Sequence, residues 1–295
     1  MTHESSLVLS AWGALLEAAV PKIPPSSSSS LRWELGLLQH ESNQQASKRS
    51  EKAFERLRKA VREAEFAVLK HRCSYNPVTS IIEANCVQNI ISLNFDLAIE
   101  HLLLKTGEQL PSYELNSGKT KNGPGKAKLE RSKAKPVRHL ESRRKIGSRV
   151  VWHPHGDRLN SAQPCLGIRQ YALRTDAIES ARCDFKGADQ LNNSASNKPR
   201  NWVELMMSTH VIFFGTSLDF SEWDVWFALV NRWRNYAKLK SKKSEPHSFL
   251  LTTGDKHAGL PSQITRLSAP SYDQGWKWLD AVMNCPTSAS IDGAN

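Results

Sequence analysis

The feature that most constrains the fold is an apolar strand that runs directly into a long helix. Residues 209–220 read THVIFFGTSLDF, in which four apolar residues from Val211 to Phe214 precede Gly215. Residues 221–240 then have helical spacing of apolar residues, and Ser221 is suited to cap that helix. A buried strand followed at once by a helix is typical of parallel sheets packed between helices. The pattern therefore predicts an α/β fold.

The same alternation recurs along the chain. Further strands are predicted over 87–96, 148–157, 247–253 and 262–269, and further helices over 97–104 and 271–283. We therefore predict an open, mostly parallel sheet with helices on both faces. Upstream of it, residues 31–75 are predicted to be a helical segment, in which residues 50–72 form an amphipathic helix. Residues 7–20 predict another helix.

The net charge of +11 belongs mainly to one segment. Twelve of the 40 Lys and Arg residues lie within 117–149, together with only two acidic residues. That segment contains several Gly and Pro residues and few large apolar ones, so we predict a flexible basic insertion over 115–149. Non-specific contact with nucleic-acid phosphates through 117–149 is the functional alternative to a solvated loop. The lack of aromatic residues there favours the solvated loop.

Cysteine usage and hydropathy exclude several classes. The five cysteines are scattered and include no CxxC pair, which excludes a four-cysteine zinc ribbon and favours free thiols in a reducing compartment. No apolar run approaches 18 residues, and the N-terminus lacks the basic start and small-residue cleavage site of a signal peptide. We therefore expect a cytoplasmic protein without membrane contact.

Polar residues follow three of the predicted strands. They are Asn94 and Asp96; His153, His155, Gly156 and Asp157; and Gly215, Thr216, Ser217 and Asp219. Each group alone is typical of an ordinary turn. Because ligands bind outside the carboxyl ends of strands in open α/β sheets, the three groups together predict a pocket. No metal is expected, since His153 and His155 lack evident carboxylate or thiolate partners in the sequence.

The strings SLNFDLAIEHLL, VWHPHGD and VIFFGTSLDFSEWDVWFALV, in this order, resemble the sirtuin fold. More narrowly, they resemble bacterial sirtuin-like NAD+ hydrolases of anti-phage defence, which share the Asn-aromatic-Asp strand end, the His-Gly motif and the Gly-x-Ser-Leu turn before an acidic helix start. The resemblance covers roughly residues 80–285. It implies a single Rossmann-like domain over residues 1–295, without a zinc ribbon. The family's glycine-rich phosphate loop has no counterpart, because no glycine precedes Gly13.

The resemblance also implies roles for individual residues. His155 would be the general base, Asn94 would orient a water or ribose hydroxyls, and Asp96 would contact the nicotinamide pocket or stabilise developing positive charge. The implied NAD-binding residues are Gly156, Gly215, Thr216 and Ser217.

The implied activity is cleavage of the nicotinamide–ribose bond of NAD+, with NAD+ as substrate rather than resident cofactor. Such an enzyme would deplete NAD+ in abortive infection and would be gated by a sensor or activator protein or by homo-oligomerisation. The alternative is a catalytically silent scaffold or ligand-sensing subunit of a defence complex, which the missing glycine-rich loop favours.

Overall fold

The computed structural model describes residues 33, 46–70, 76–105, 108–111, 140–159, 165, 167–184, 199–216, 218, 222–238, 245–253 and 260–285. Within them, the helix predicted over 50–72 is α1, Ala46–Lys70. Its buried stripe includes Phe54, Leu57 and Val61, and Trp33 packs edge-on against Phe54 with ring centroids 5.3 Å apart. The helix predicted over 7–20 lies outside the described residues.

The first sheet has three strands in the order β1-β3-β2. Strand β1 is Asn89–Ile91 and runs parallel to β3, Arg149–Trp152, which pairs antiparallel with β2, Arg143–Ile146. Helices α2, Asn76–Glu83, and α3, Ala98–Leu103, pack on one face of this sheet.

Strand β2 corrects the prediction of a flexible insertion over 115–149. Residues 140–149 are ordered, and β2 alternates a buried Arg144 and Ile146 with an exposed Lys145. Gly147, with φ of 58°, provides the turn to β3. The basic composition of this segment did not indicate a half-buried strand. Arg144 is buried against the carboxylate of Asp157 and does not face solvent. Residues 112–139 of the insertion lie outside the described residues.

The second sheet is entirely parallel, in the order β4-β5-β6. Its strands are Val211–Phe213, Ser248–Thr253 and Ile264–Ala269. Helix α6, Trp223–Lys238, follows β4, and α7, Tyr272–Met283, follows β6. The predicted cap Ser221 lies outside the described residues.

Helices cover both faces of the parallel sheet. On one face, Phe213 and Leu250 pack against α4, Ile168–Asp184, α5, Trp202–Ser208, and α6. On the other face, Leu251 and Ala269 pack against α7 and α2.

The two sheets share one core. The largest apolar cluster contains Trp152 from the first sheet and Leu250 from the second, with Trp202 and Leu229 from the helices between them. The described chain is therefore mixed α/β with two small sheets, one of them all parallel. Its antiparallel β2–β3 hairpin and helix α4 were not predicted. No helix among the described residues is long and apolar enough to cross a membrane.

Candidate functional site

His155 lies in the tight turn that follows β3. The His153 amide donates to the Ser142 carbonyl at 2.9 Å, and the Gly156 amide donates to the His153 carbonyl at 3.0 Å. Gly156 has φ of 86°, a left-handed conformation that glycine adopts without strain. This turn places the His155 ring below the surface, where the residue is only 3% exposed.

The His155 ring joins the three segments that carry the predicted site residues. Its Nδ1 lies 3.1 Å from the Leu93 carbonyl oxygen, which directly precedes Asn94. Its Nε2 lies 3.0 and 3.2 Å from the two carboxylate oxygens of Asp224, in the first turn of α6. The ends of β1 and β3 and the start of α6 therefore meet at one buried imidazole.

Both ring nitrogens of His155 face acceptors. A peptide carbonyl can only accept a hydrogen bond, so Nδ1 donates to Leu93, and Nε2 donates to the Asp224 carboxylate. Burial lowers the pKa of His155, but the charge and hydrogen bond of Asp224, aided by Glu222, outweigh it and raise the pKa overall. For Asp224, burial raises the carboxyl pKa, but His155 and Arg174 reverse the effect and lower it. The hydrogen-bond geometry and both pKa shifts favour an imidazolium–carboxylate pair.

His153 is held in the same way by different partners. Its Nε2 lies 2.5 Å from Glu100 Oε1 on α3, and its Nδ1 lies 3.2 Å from the Asn94 carbonyl oxygen. Burial lowers its pKa, but Glu100, together with Asp157, raises it overall. With no exposed surface, His153 holds the loop after β1 in place and cannot reach a ligand without a rearrangement.

Asn94 and Asp96 lie at the rim of the site. The side chain of Asn94 is exposed, whereas Asp96 is half-buried, and its Oδ1 accepts the Ala98 amide at 3.0 Å. Burial raises the pKa of the Asp96 carboxyl, as do the carboxylates of Glu65 and Glu100. The Ala98 amide and His153 oppose the rise without cancelling it.

The turn after β4 depends on the backbone conformation of Gly215 and on two hydrogen bonds to Leu218. Gly215 has φ of 64° with open space where a Cβ would lie, so glycine is needed for its backbone conformation and not for room. Thr216 Oγ1 accepts the Leu218 amide at 3.1 Å, and Trp226 Nε1 donates to the Leu218 carbonyl at 3.2 Å. Ser217 and Asp219 lie outside the described residues.

Helix α4 supplies neighbours that the sequence did not reveal. The Tyr171 ring lies edge-on to His155, with centroids 5.3 Å apart, and burial raises the pKa of its phenol well above the usual value. Cys165, just before α4, is buried, and this burial raises the pKa of its thiol to about 12. Arg174 is also buried and interacts with Cys165 and Asp224.

Two of the missed partners had a sequence signal. Glu222 and Asp224 stand at the acidic start of the predicted helix 221–240. The expectation that His153 and His155 lack carboxylate partners was wrong, because Glu100 and Asp224 come from distant parts of the chain. Ligand atoms of His155, Glu222 and Asp224 lie within 4.8 Å of one another, which is compatible with a metal-binding donor set. The Nε2 proton of His155 lies between the imidazole and the Asp224 carboxylate, so a metal ion could bind there only in place of that proton.

Comparison of the chain with protein-family models, curated proteins and solved structures found no significant match.

Proposed function

We propose that the chain is a sirtuin-like NAD+ hydrolase that cleaves the nicotinamide–ribose bond. The observation that carries the proposal is the convergence on His155 of three polar segments, one after each of two parallel-paired strands and one opening α6. Sites of α/β proteins form at this edge of their sheets. The expected Rossmann-like domain and the resemblance to defence-associated sirtuins stay part of this proposal.

The charges around the site suit the reaction. Nicotinamide leaves NAD+ as a neutral molecule, so positive charge develops on the ribose, as in glycoside hydrolysis. A carboxylate near that carbon lowers the barrier by electrostatic stabilisation. We propose that the half-buried Asp96 carboxylate takes this role and that the exposed Asn94 amide orients a water or a ribose hydroxyl.

The proton-accepting role needs a lone pair, and His155 has none while both nitrogens donate. We propose that His155 acts as the base in its neutral form, after one of those protons has passed to solvent water, which requires the contact with Leu93 or Asp224 to loosen when substrate binds. Asp96 is the alternative acceptor, since a carboxyl with a raised pKa is a better base near neutral pH than an ordinary one.

The remaining roles belong to the loops. We propose that Gly215, Thr216 and Ser217 contact the adenosine ribose and inner phosphate, with Gly156 beside the base. The activity would act in the cytoplasm during anti-phage defence, under the control of a sensor protein or of homo-oligomerisation. Salt-dependent contact of residues 117–149 with nucleic-acid phosphates remains the alternative to a solvated loop in this proposal.

The test is nicotinamide release from NAD+ by the purified full chain, alone and with the products of neighbouring genes, measured by chromatography. Asn94→Ala is the main variant, because its side chain is exposed and its loss leaves the core intact. We expect a loss of at least about 100-fold in kcat, as for removal of a polarising amide. His155→Gln should also lose activity, whereas the exposed His247→Ala should keep it. Full activity in Asn94→Ala and His155→Gln would refute the assignment.

The second candidate is a scaffold or ligand-sensing subunit without NAD+ turnover. The observation that favours it is the engagement of both His155 nitrogens by acceptors, a structural arrangement as it stands. A folded wild-type chain that binds its partner but releases no nicotinamide in any combination would establish this reading. Release that depends on Asn94 would exclude it.

A further inference from the structure

Glu65 is a buried carboxylate that reaches from α1 to both loops of the candidate site. It is only 3% exposed. One carboxylate oxygen accepts the main-chain amide of Leu97, in the loop after β1. The other accepts from the Arg158 guanidinium, whose Nε lies 2.6 Å away, in the loop after β3.

A second contact closes the link between these loops. The Arg158 amide donates to the Phe95 carbonyl at 3.0 Å, so the loop after β3 also touches the loop after β1 directly. The sheet itself contributes little beyond this point, since the last hydrogen bond that continues the β1–β3 pairing runs from the Ser92 amide to the Trp152 carbonyl. Glu65 therefore holds together two loops at a place where strand pairing no longer does.

We propose that Glu65 is a positioning residue through which helix α1 sets the relative placement of the loop carrying Asn94 and Asp96 and the loop carrying His155. As a statement about activity, this inference rests on the proposed NAD+ hydrolase function. Helix α1 lies outside both sheets, and its Leu57 and Val61 line a small cavity together with Phe95. A partner that shifts α1 would therefore act on both loops through Glu65 and through these neighbouring contacts. In this proposal, regulation of the site acts by moving helix α1.

The contact between Glu65 and the loop after β1 can be followed through the pKa of Asp96. Glu65 and Asp96 accept consecutive amides, those of Leu97 and Ala98, at the start of α3. The charged groups facing Asp96 are Glu65 from α1, Glu100 from α3 and His153 after β3. The negative charge of Glu65 raises the pKa of Asp96, so neutralising Glu65 must lower it.

The test is Glu65→Gln in the full chain, with Glu63→Gln as the matched control. Glu63 stands on the same helix but is exposed, with Lys59 Nζ 3.9 Å away as its partner. The first readout is the titration of the Asp96 carboxyl carbon by ¹³C NMR, assigned with Asp96→Asn. The second is the pH profile of nicotinamide release.

For Glu65→Gln we expect Asp96 to titrate at lower pH, with the acidic limb of the kcat profile shifted in the same direction. We also expect a drop of at least about tenfold in kcat with little change in KM, since a small misplacement of reacting groups costs this much. Glu63→Gln should leave each quantity at the wild-type value. An unchanged Asp96 titration, or a loss of thermal stability without a shifted pH profile, would overturn the proposal.

The design separates this inference from the proposed function. If the folded wild type releases no nicotinamide, the hydrolase proposal fails, and the amide exchange of Leu97 in Glu65→Gln against Glu63→Gln still decides whether Glu65 holds the loop after β1. Should Glu65→Gln not fold, Arg158→Lys tests the same link, because it keeps the charge and removes the Nε donor. Amide exchange of Leu97 should then rise at least tenfold above that of Glu63→Gln, and equal exchange would refute the link.

Discussion

The ion pair between His155 and Asp224 provides the sharpest test of the site's electrostatics. Both side chains are almost wholly buried, with exposures of 4% and 0%, and Asp224 Oδ1 also accepts the Val225 amide at 2.9 Å. Removing one partner of a buried pair leaves an uncompensated charge and costs about 3–5 kcal/mol. We expect Asp224→Ala to lower the free energy of unfolding by this amount at pH 6. The corresponding fall in Tm is roughly 6–20 °C.

The pH dependence follows from the two pKa shifts. The folded pKa of His155 is raised, so its contribution is fully present below its unfolded pKa of about 6.5 and is lost as pH rises through the raised value. The folded pKa of Asp224 is lowered, so its contribution is present above its unfolded pKa of about 3.9 and is lost as pH falls through the lowered value. The pair therefore stabilises most between these limits, and the cost of Asp224→Ala should shrink toward pH 9.

Urea unfolding followed by fluorescence of the nine tryptophans measures this cost at pH 6 and pH 9. Glu222→Ala is the control, because its oxygen lies 3.9 Å from His155 Nε2 and its side chain is 27% exposed. We expect this control to cost less than about 1 kcal/mol. A cost below about 1 kcal/mol for Asp224→Ala at pH 6, or a cost that rises from pH 6 to pH 9, would refute the ion pair.

Three further predictions concern other parts of the fold. Arg144→Met should destabilise by about 3–5 kcal/mol, because it removes the guanidinium that lies 2.9 Å from the buried Asp157 carboxylate, and an unchanged urea midpoint would contradict this. Gly275→Ala should lower stability by about 1–2 kcal/mol in thermal unfolding, since its Cβ would lie 2.9 Å from Leu251 Cδ1 and this overpacking exceeds the gain in helix propensity; a stabilised variant would refute the close packing. In the native protein at pH 8, Cys165 should resist alkylation because it is buried with a pKa of about 12, whereas the exposed Cys86 should react, as peptide mass mapping would show. Equal labelling of both thiols would contradict that prediction.

The elements that could be predicted are those whose own residues decide them. Strands 211–213, 248–253 and 264–269 are short apolar runs between turns, and they lie within the ranges predicted for them. Helix α7 begins one residue after Ser271, whose hydroxyl accepts the Gln274 amide as an N-cap.

The elements that escaped prediction depend on the rest of the fold. Strand β2 has the composition of a basic loop. Its burial depends on the contact between Arg144 and the carboxylate of Asp157, which lies in the turn after β3. Helix α4 lacks a clear apolar stripe, since exposed Ile168 and Leu173 alternate irregularly with buried Ala177 and Ile178.

The site shows the same division. The positions of Asn94, Asp96 and His155 at strand ends could be predicted because turn chemistry is local. The hydrogen bonds of both His155 ring nitrogens could not be predicted, because their partners Leu93 and Asp224 lie 62 and 69 residues away in sequence. Glu65 and its partner Arg158 are separated even further, by 93 residues. Such partners follow from packing, which a single sequence does not display.

The most direct test of the central proposal is a time course of NAD+ incubated with the folded full chain, alone and with neighbouring gene products, followed by ¹H NMR. We expect the signal of the anomeric proton of the nicotinamide-linked ribose to disappear while free nicotinamide and an ADP-ribose product appear in equal amounts. Asn94→Ala should abolish this change. NAD+ that stays intact in every combination, or that is consumed equally by Asn94→Ala, would contradict the proposal that this site cleaves NAD+.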